Sequence, residues 1–328
     1  MLTKSQLNPI LSAQPNLKWA NKKVYNSAAL IIDGSYHLFF RAIGVDYISR
    51  IGHAVSTDGT HFEVQDKAIF EPLEEWEVKG CEDPRITKID DLFFMAYTAY
   101  DGLAARVATT TTTDFINWTA RTIAFPEWRE GQWVSPGQKA WSKAAALFPE
   151  KVNGKYHLFF GDDAIWQAYS DDLVSWNPVI EPILEPREGF FDCSYIEMGP
   201  PPILTERGWL IIYHGIDGID NGRVYRLGAA IFDHDNPSKL IWRCKSPILE
   251  PTAQHERVGQ IDIIDGGMER LSKLSNEELV QLSDAGSLPQ AVFCCGAVIN
   301  DGLIHIYYSG SDTVLCLATC TIGDLLTY

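Results

Sequence analysis

Two adjacent carboxylates, a ring-locked proline and a guanidinium follow one another in Gly80-Cys81-Glu82-Asp83-Pro84-Arg85, just ahead of an apolar run from Ile86 to Thr98. A carboxylate set by the backbone beside a cation is what an aimed acid or base needs. Proline fixes its own φ and disfavours the helical region for the residue before it, so the dipeptide predicts an extended Asp83. The same hexapeptide also suits a turn ahead of a strand with a surface ion pair, because Asp-Pro turns are common.

Other chemistries find less support. The eight histidines are dispersed without an H-E-x-x-H arrangement, and no metal site is expected. The seven cysteines (Cys81, Cys193, Cys244, Cys294, Cys295, Cys316, Cys320) are odd in number and lack C-x-x-C spacing. Buried thiols in a reducing, cytoplasmic compartment fit that pattern better than a disulfide framework. A net charge of −16 argues against nucleic acid and anionic membrane as partners, since phosphate binding needs a basic face. Met1 to Gln6 lead into no long apolar segment, so neither a signal peptide nor a membrane span is expected.

The elements that would position Asp83 repeat along the chain. An apolar strand, a short polar turn, a second strand rich in Tyr and Phe, and an Ala/Ser/Thr-Asp segment ending near Trp or Phe recur five times. Copies begin near Asn26, Asp83, Lys143, Gly199 and Cys295. The first four start about 55–60 residues apart, as propeller blades do. Asp33-Gly34, Asn153-Gly154 and Asp301-Gly302 are the dipeptides that two-residue hairpin loops demand. Helix-length segments between strands are lacking, which excludes a βαβ reading. The expectation is an all-β, five-bladed propeller spanning 1–328 as one domain. A short helical insertion precedes the last blade, because Ser275-Asn276-Glu277-Glu278-Leu279 has a capping-box pattern predicting a helix to about Leu282. Asn8 to Leu11 and Pro247 to Pro251 read as outer strands or as latches on the ring.

In a propeller the open ends of the inner strands face one pocket. Superposing the starts of the copies groups Asn26, Asp83, Lys143 and Glu197. Superposing the ends of their second strands groups Arg41, Tyr100 or Asp101, Asp162 or Asp163, His214 and Asp312. Polar groups at equivalent inner positions point to a ligand, since burying them unpaired costs about 1–3 kcal/mol each. Blade-closing hydrogen bonds and solvated loops are the bland alternatives. Trp118, Trp176 and Trp242 sit at the outer edge of the repeat and read as packing. Trp133, Trp141 and Trp166 are freer to stack on a sugar ring.

Gly80 to Thr87, Met95 to Ala99, Leu147 to Lys151, Gly199-Pro200-Pro201-Pro202-Ile203, Gly208 to Leu210 with Tyr213-His214-Gly215, and Tyr307 to Thr313 together resemble glycoside hydrolase family 130. The similarity runs from about Asn8 to the C-terminus. It implies a five-bladed propeller that cleaves β-mannosides with inversion, by phosphorolysis or hydrolysis. Asp83 is then the general acid, acting in the phosphorylases through a hydroxyl of the −1 mannose. Asn26, Arg41 and Asp312 match positions that bind that sugar, and Tyr213 and His214 match part of the phosphate region. Glu82, Arg85 and Lys143 complete the expected substrate-binding set.

The chain departs from the phosphorylases at two cations. Where they carry Arg after the third copy's second strand, this chain reads Gly161-Asp162-Asp163. Where they carry Lys before the G-P-P-P segment, it reads Tyr195-Ile196-Glu197-Met198. Carboxylates repel phosphate and can deprotonate water, so hydrolysis is expected, with Asp83 as acid and Glu197, Asp162 or Asp163 as base. The alternatives are phosphorolysis to mannose 1-phosphate, with inorganic phosphate as co-substrate, and a non-catalytic sugar-binding propeller. A five-bladed glycosidase with three carboxylates on separate blades ranks lower, because Asn26 stands where its first Asp belongs. No cofactor is expected; the partner is a small oligosaccharide, and a homo-oligomer is compatible.

Overall fold

The computed structural model describes residues 2–128, 141–218, 222–259 and 271–327. Among them, the strands form three hydrogen-bonded sheets that divide into five antiparallel meanders in chain order, parallel pairs joining the first to the second at Ser49 and Gly80 and the fourth to the fifth at Val224 and Gln290. The first contains Lys23–Ile32, Ser35–Ile43, Ser49–Ser56 and Glu63–Val64. The second contains Gly80–Ile89, Leu92–Tyr100, Ala105–Thr112 and Thr122–Ile123. Shorter strands build the third: Ala146–Leu147, Tyr156–Phe160, Trp166–Ser170 and Asn177–Pro178. In the fourth, Tyr195–Met198 and Ile203–Thr205 both pair with Gly208–Asp217, followed by Val224–Phe232 and Leu240–Arg243. The fifth takes Gln290–Asn300, Leu303–Gly310 and Val314–Thr321 from the C-terminal part and Thr3–Lys4 from the N-terminus.

Period-two alternation explains how the meanders stack. In the fourth, Trp209, Ile211 and Tyr213 face the third meander's Phe148 and Phe159, whereas Leu210 and Ile212 face the fifth's Ile304 and Ile306. Similar cores join first to second, through Phe39 and Met95, and second to third, through Phe94 and Phe160. One more joins fifth to first, through Tyr307, Leu317, Leu38 and Phe40. There the backbones come so close that a Cβ at Gly296 would lie 2.4 Å from the Ala29 nitrogen. The N-terminal latch expected near Asn8 is present: Leu11 bridges Leu315, and Asn8 Oδ1 accepts from the Leu317 N–H at 2.8 Å.

The turn chemistry follows the dipeptides. Asp33-Gly34, Asn153-Gly154 and Asp301-Gly302 all have positive φ at both residues. The expected helix runs Asn276–Asp284, two residues past Leu282, and Ser275 and Glu278 form its capping box. Trp118, Trp176 and Trp242 pack against the meanders as expected. Trp166 does not stay free: it is 3% exposed between Phe160 and Trp128, with its indole N–H donating to the Ile180 carbonyl. Trp133 lies outside the described residues.

Two local departures shape the site. Each inner strand of the first and second meanders carries a bulge, between Tyr25 and Ser27 and between Glu82 and Arg85. Asn26 and Asp83 fill those bulges at φ of 46° and 51°. Asp83 is therefore not extended, as Pro84 alone predicts. The bulge requires a positive φ, which Asn and Asp tolerate better than other side-chain-bearing residues. Among the described residues, no helix is long and apolar enough to cross a membrane.

Candidate active site

The two bulges meet. Asn26 Nδ2 donates to Asp83 Oδ1 at 2.8 Å, while Asn26 Oδ1 accepts from Ser309 Oγ at 2.8 Å, so the fifth, first and second meanders share one hydrogen-bonded chain. Arg41, near the end of its strand, reaches both neighbouring carboxylates. Its Nη1 lies 3.3 Å from Asp83 Oδ1 and its Nη2 2.7 Å from Glu82 Oε1. Ser49 Oγ accepts from Arg41 Nε at 2.9 Å and donates to Glu82 Oε1 at 3.0 Å. The guanidinium sits over the Tyr25 ring, 4.8 Å from its centre, and the Asp312 charge is felt at both groups.

Burial pushes Glu82 above the usual carboxylate range, further than Arg41 and Ser49 pull it down. Burial acts on Asp83 too, but Arg41, Arg85 and the Asn26 amide outweigh it and hold that carboxyl below the usual range. Side by side, the pair keeps a proton more readily on Glu82 than on Asp83.

A second arm comes from the third and fourth meanders. The Lys143 carbonyl accepts from the Gly161 N–H at 3.0 Å, and the Gly161 carbonyl accepts from Met198 N–H at 3.0 Å. These contacts bring Lys143, Asp162 and Glu197 together. Burial would lower the Lys143 pKa, yet the charges of Asp162, Glu197, Glu82 and Asp83 raise it. Glu197 is pushed up to about 8, chiefly by burial and then by Asp162, with Lys143 pulling the other way. A carboxyl with that value carries a proton at neutral pH.

Other expected residues are placed differently. Arg85 is 2% exposed and donates to three backbone carbonyls: Asp83 at 2.8 Å, Met198 at 2.9 Å and Gly199 at 3.0 Å. It fastens the Asp83 bulge to the strand that carries Glu197. His214 is fully buried, stacked 3.7 Å from the Phe293 ring, and its Nε2 accepts from Cys294 N–H at 2.8 Å. Burial lowers its pKa to about 3, so it stays neutral. Tyr213 points away from the carboxylates and donates its hydroxyl to Asp192 at 2.7 Å. Asp163 caps the Ala164 N–H through its side chain at 3.0 Å.

Ser309, Ser49 and Tyr25 were not among the expected site residues. Ser309 occupies the repeat position of Arg41 and His214, after two aromatic or apolar residues of the second strand. Superposing the fifth copy three residues before Asp312 would have found it. Ser49 and Tyr25 carry no comparable signal.

Residues 8–264 match the family model described as beta-1,4-mannooligosaccharide phosphorylase. A 1,2-beta-oligomannan phosphorylase of Thermoanaerobacter sp. (strain X514) is 36% identical over 330 residues, covering 97% of this chain and 96% of that protein. A beta-1,2-mannobiose phosphorylase of the same organism is 37% identical over 337 residues, with the same coverage of 97% and 96%. Among solved structures, one from work on family 130 glycoside hydrolases that target beta-1,2 mannosidic linkages in Candida mannan superposes with a TM-score of 0.82. It is 26% identical and covers 98% of this chain and 94% of its own. The chain belongs to glycoside hydrolase family 130, the family of β-mannoside phosphorylases and hydrolases.

Proposed function

We propose that the five meanders are the blades of one propeller spanning residues 1–328, and that its pocket hydrolyses β-1,2-linked manno-oligosaccharides with inversion. The observation that carries hydrolysis is the charge of the second arm. Asp162 and Glu197 flank Lys143 where the phosphorylase pattern has two further cations. The pocket holds Glu82, Asp83, Asp162, Glu197 and Asp312 against Arg41, Arg85 and Lys143, more carboxyl groups than cations, which disfavours a phosphate dianion once Glu197 ionises. The relatives' names supply the linkage.

In the reacting form Glu197 is ionised and takes a proton from water as the water oxygen bonds to C1 of the −1 mannose. The C1–O bond to the leaving sugar breaks, and its oxygen gains the proton that Asp83 delivers through a hydroxyl of that mannose. Asn26, Arg41 and Asp312 hold the sugar. This form is the minor one in the free enzyme, where the proton sits on Glu197 rather than Asp83. A strong acid facing a strong base compensates for low occupancy, because proton-transfer rates follow the driving force.

Phosphorolysis is the second reading, and the comparisons favour it: the matching family model and the relatives at 36% and 37% identity are all named as phosphorylases. Lys143 would then meet phosphate, and a protonated Glu197 would add no repulsion. Incubating the enzyme with β-1,2-mannobiose, with and without phosphate, decides between them. Hydrolysis gives only mannose in both mixtures. Mannose 1-phosphate formed strictly with phosphate overturns the proposal, and tight binding without turnover indicates a sugar-binding propeller.

A further inference from the structure

Tyr97, Tyr213 and Tyr308 stand at one repeat position, the residue before Thr98, His214 and Ser309 in the second strand of their meanders. Each donates its hydroxyl at 2.7 Å to a buried carboxylate that precedes the inner strand: Glu77, Asp192 and Glu256. A cation on or beside the outer strand completes each clasp, Arg121, Arg243 and Lys4 in turn. The first and third meanders have Phe40 and Phe160 at that position, set against Trp19 and Phe125, and so carry no hydroxyl there. We infer that Glu77, Tyr97 and Arg121 are positioning residues for the acid arm, fixing the entry of the strand that carries Glu82 and Asp83. The inference rests on Asp83 being the acid, and holds whether water or phosphate is the nucleophile.

Three observations carry it. The first is placement. Glu77 precedes Glu82 by five residues, as Asp192 precedes Glu197, so a clasp stands just ahead of the acid arm and of the base arm. The first and third meanders, with Phe in place of Tyr, contribute Asn26 and Lys143 from the matching stretch. The second is rigidity. Glu77 is fully buried and accepts from the Leu73 N–H at 2.8 Å and the Glu74 N–H at 3.2 Å, besides Tyr97 and Arg121. Arg121 lies over the Phe70 ring, 3.7 Å from its centre, and donates to the Glu71 carbonyl at 2.8 Å. A buried polar network satisfied in this way rigidifies what it holds.

The third is contact with the arm. Arg121 Nη1 lies 3.9 Å from the Sγ of Cys81, the buried residue before Glu82. Thr98, which follows Tyr97, pairs with Glu82 across the ladder. The Lys79 N–H donates to the Tyr100 carbonyl at 2.9 Å, and the Lys79 carbonyl accepts from the Ser49 N–H at 3.2 Å. Gly80 leaves no slack, since an added Cβ would lie 2.5 Å from Ser49 Cβ. Ser49 in turn bonds Glu82 and the Arg41 that holds Asp83. A shift at Glu77 is therefore passed to both carboxyls. The fourth meander is better secured, because Asp192 keeps two guanidinia without the Tyr213 hydroxyl.

The test is Tyr97→Phe, which installs the side chain that the first and third meanders already use. It is assayed on β-1,2-mannobiose and on β-mannosyl fluoride, whose departure needs little acid, with phosphate present so that either nucleophile is available. The ratio of kcat/KM for mannobiose to that for the fluoride should fall about tenfold, as a small displacement of the acid would cause. An unchanged ratio, an equal loss on both substrates included, shows a purely structural role and overturns the inference. Arg121→Lys, read in the same way, decides the matter if Tyr97→Phe does not fold. Asp83→Asn separates the inference from the reading beneath it. An unchanged ratio in Asp83→Asn removes the acid role itself, whereas a ratio that falls there but not in Tyr97→Phe overturns the clasp alone. A wild type that turns over neither substrate removes both.

Discussion

Asp192 and Asp83 are both buried carboxylates facing arginine, yet their surroundings differ in one count. Asp192 accepts from Arg187 Nη2 at 2.8 Å, Arg243 Nη2 at 2.6 Å and Tyr213 Oη at 2.7 Å, so one carboxylate has two guanidinia and a hydroxyl. Asp83 is paired directly with one guanidinium, Arg41, which it shares with Glu82; Arg85 and Lys143 act on it without a side-chain ion pair, and Asp312 and the carboxylates around Lys143 add further negative charge. The first cluster is closed: it braces the fourth meander, and removing its carboxylate strands two cations. The second is open, with more acid groups than cations. It must retain protons, which is the property a proton-transfer site needs.

The sharpest way to break the comparison is the same substitution at both places. Asp83→Asn should lower turnover of β-1,2-mannobiose by about 10²–10⁴-fold. Its melting temperature should fall less than that of Asp192→Asn, because the amide gives up the attraction of Arg41 and Arg85 but relieves repulsion with Glu82. Asp192→Asn should instead cost about 3–5 kcal/mol of stability in denaturant titration, as broken buried ion pairs do. Full activity in Asp83→Asn, or unaltered stability in Asp192→Asn, would remove the distinction.

Within the open cluster, the roles of acid and base separate on a substrate that needs little acid. With β-mannosyl fluoride, Asp83→Asn should recover most of its lost rate. Glu197→Gln should stay impaired by about 10²-fold or more on both substrates. The reverse outcome would make Glu197 the acid, the role its own pKa of about 8 would suggest in isolation.

The pH profile follows from one proton shared by the two groups. Activity should fall above about pH 8, as the form holding that proton disappears with the ionisation of Glu197. On the acid side it should persist below the ordinary carboxylate range, because Asp83 is held low and gains a second proton only there. Lys143 pulls the Glu197 pKa down, so Lys143→Met should move the upper limb of kcat/KM to higher pH. A limb that stays in place would separate Lys143 from the base.

Turns and caps were legible because they depend on a few adjacent residues: Asp33-Gly34 needs two positive φ values whatever surrounds it, and Ser275 with Glu278 closes a helix end locally. Asp83 was legible as a candidate acid from its neighbours and the family motif around it. Its conformation was not, since a bulge adds one residue to a strand without a composition signal. The side of a strand that meets the pocket was equally hidden. A one-residue slip exchanges faces, which is why Tyr213 and His214 could be grouped in sequence although Tyr213 serves Asp192. Trp166 was misjudged for a related reason: the regular packing around Phe160 extends to it although its stretch of sequence is irregular.

Tyr213 gives the comparison its finest test. Its hydroxyl donates to Asp192 and accepts from Arg243 Nε at 3.0 Å, so both bonds lie within the closed cluster. Tyr213→Phe keeps the ring against Phe191 and leaves Asp192 its two guanidinia. The expected cost is about 1 kcal/mol of stability. Turnover and its response to phosphate should not change. A tenfold rise in KM, or a phosphate effect lost in this variant, would connect the bracing cluster to the pocket. It would also return Tyr213 to the anion-binding role that its place in the motif suggests.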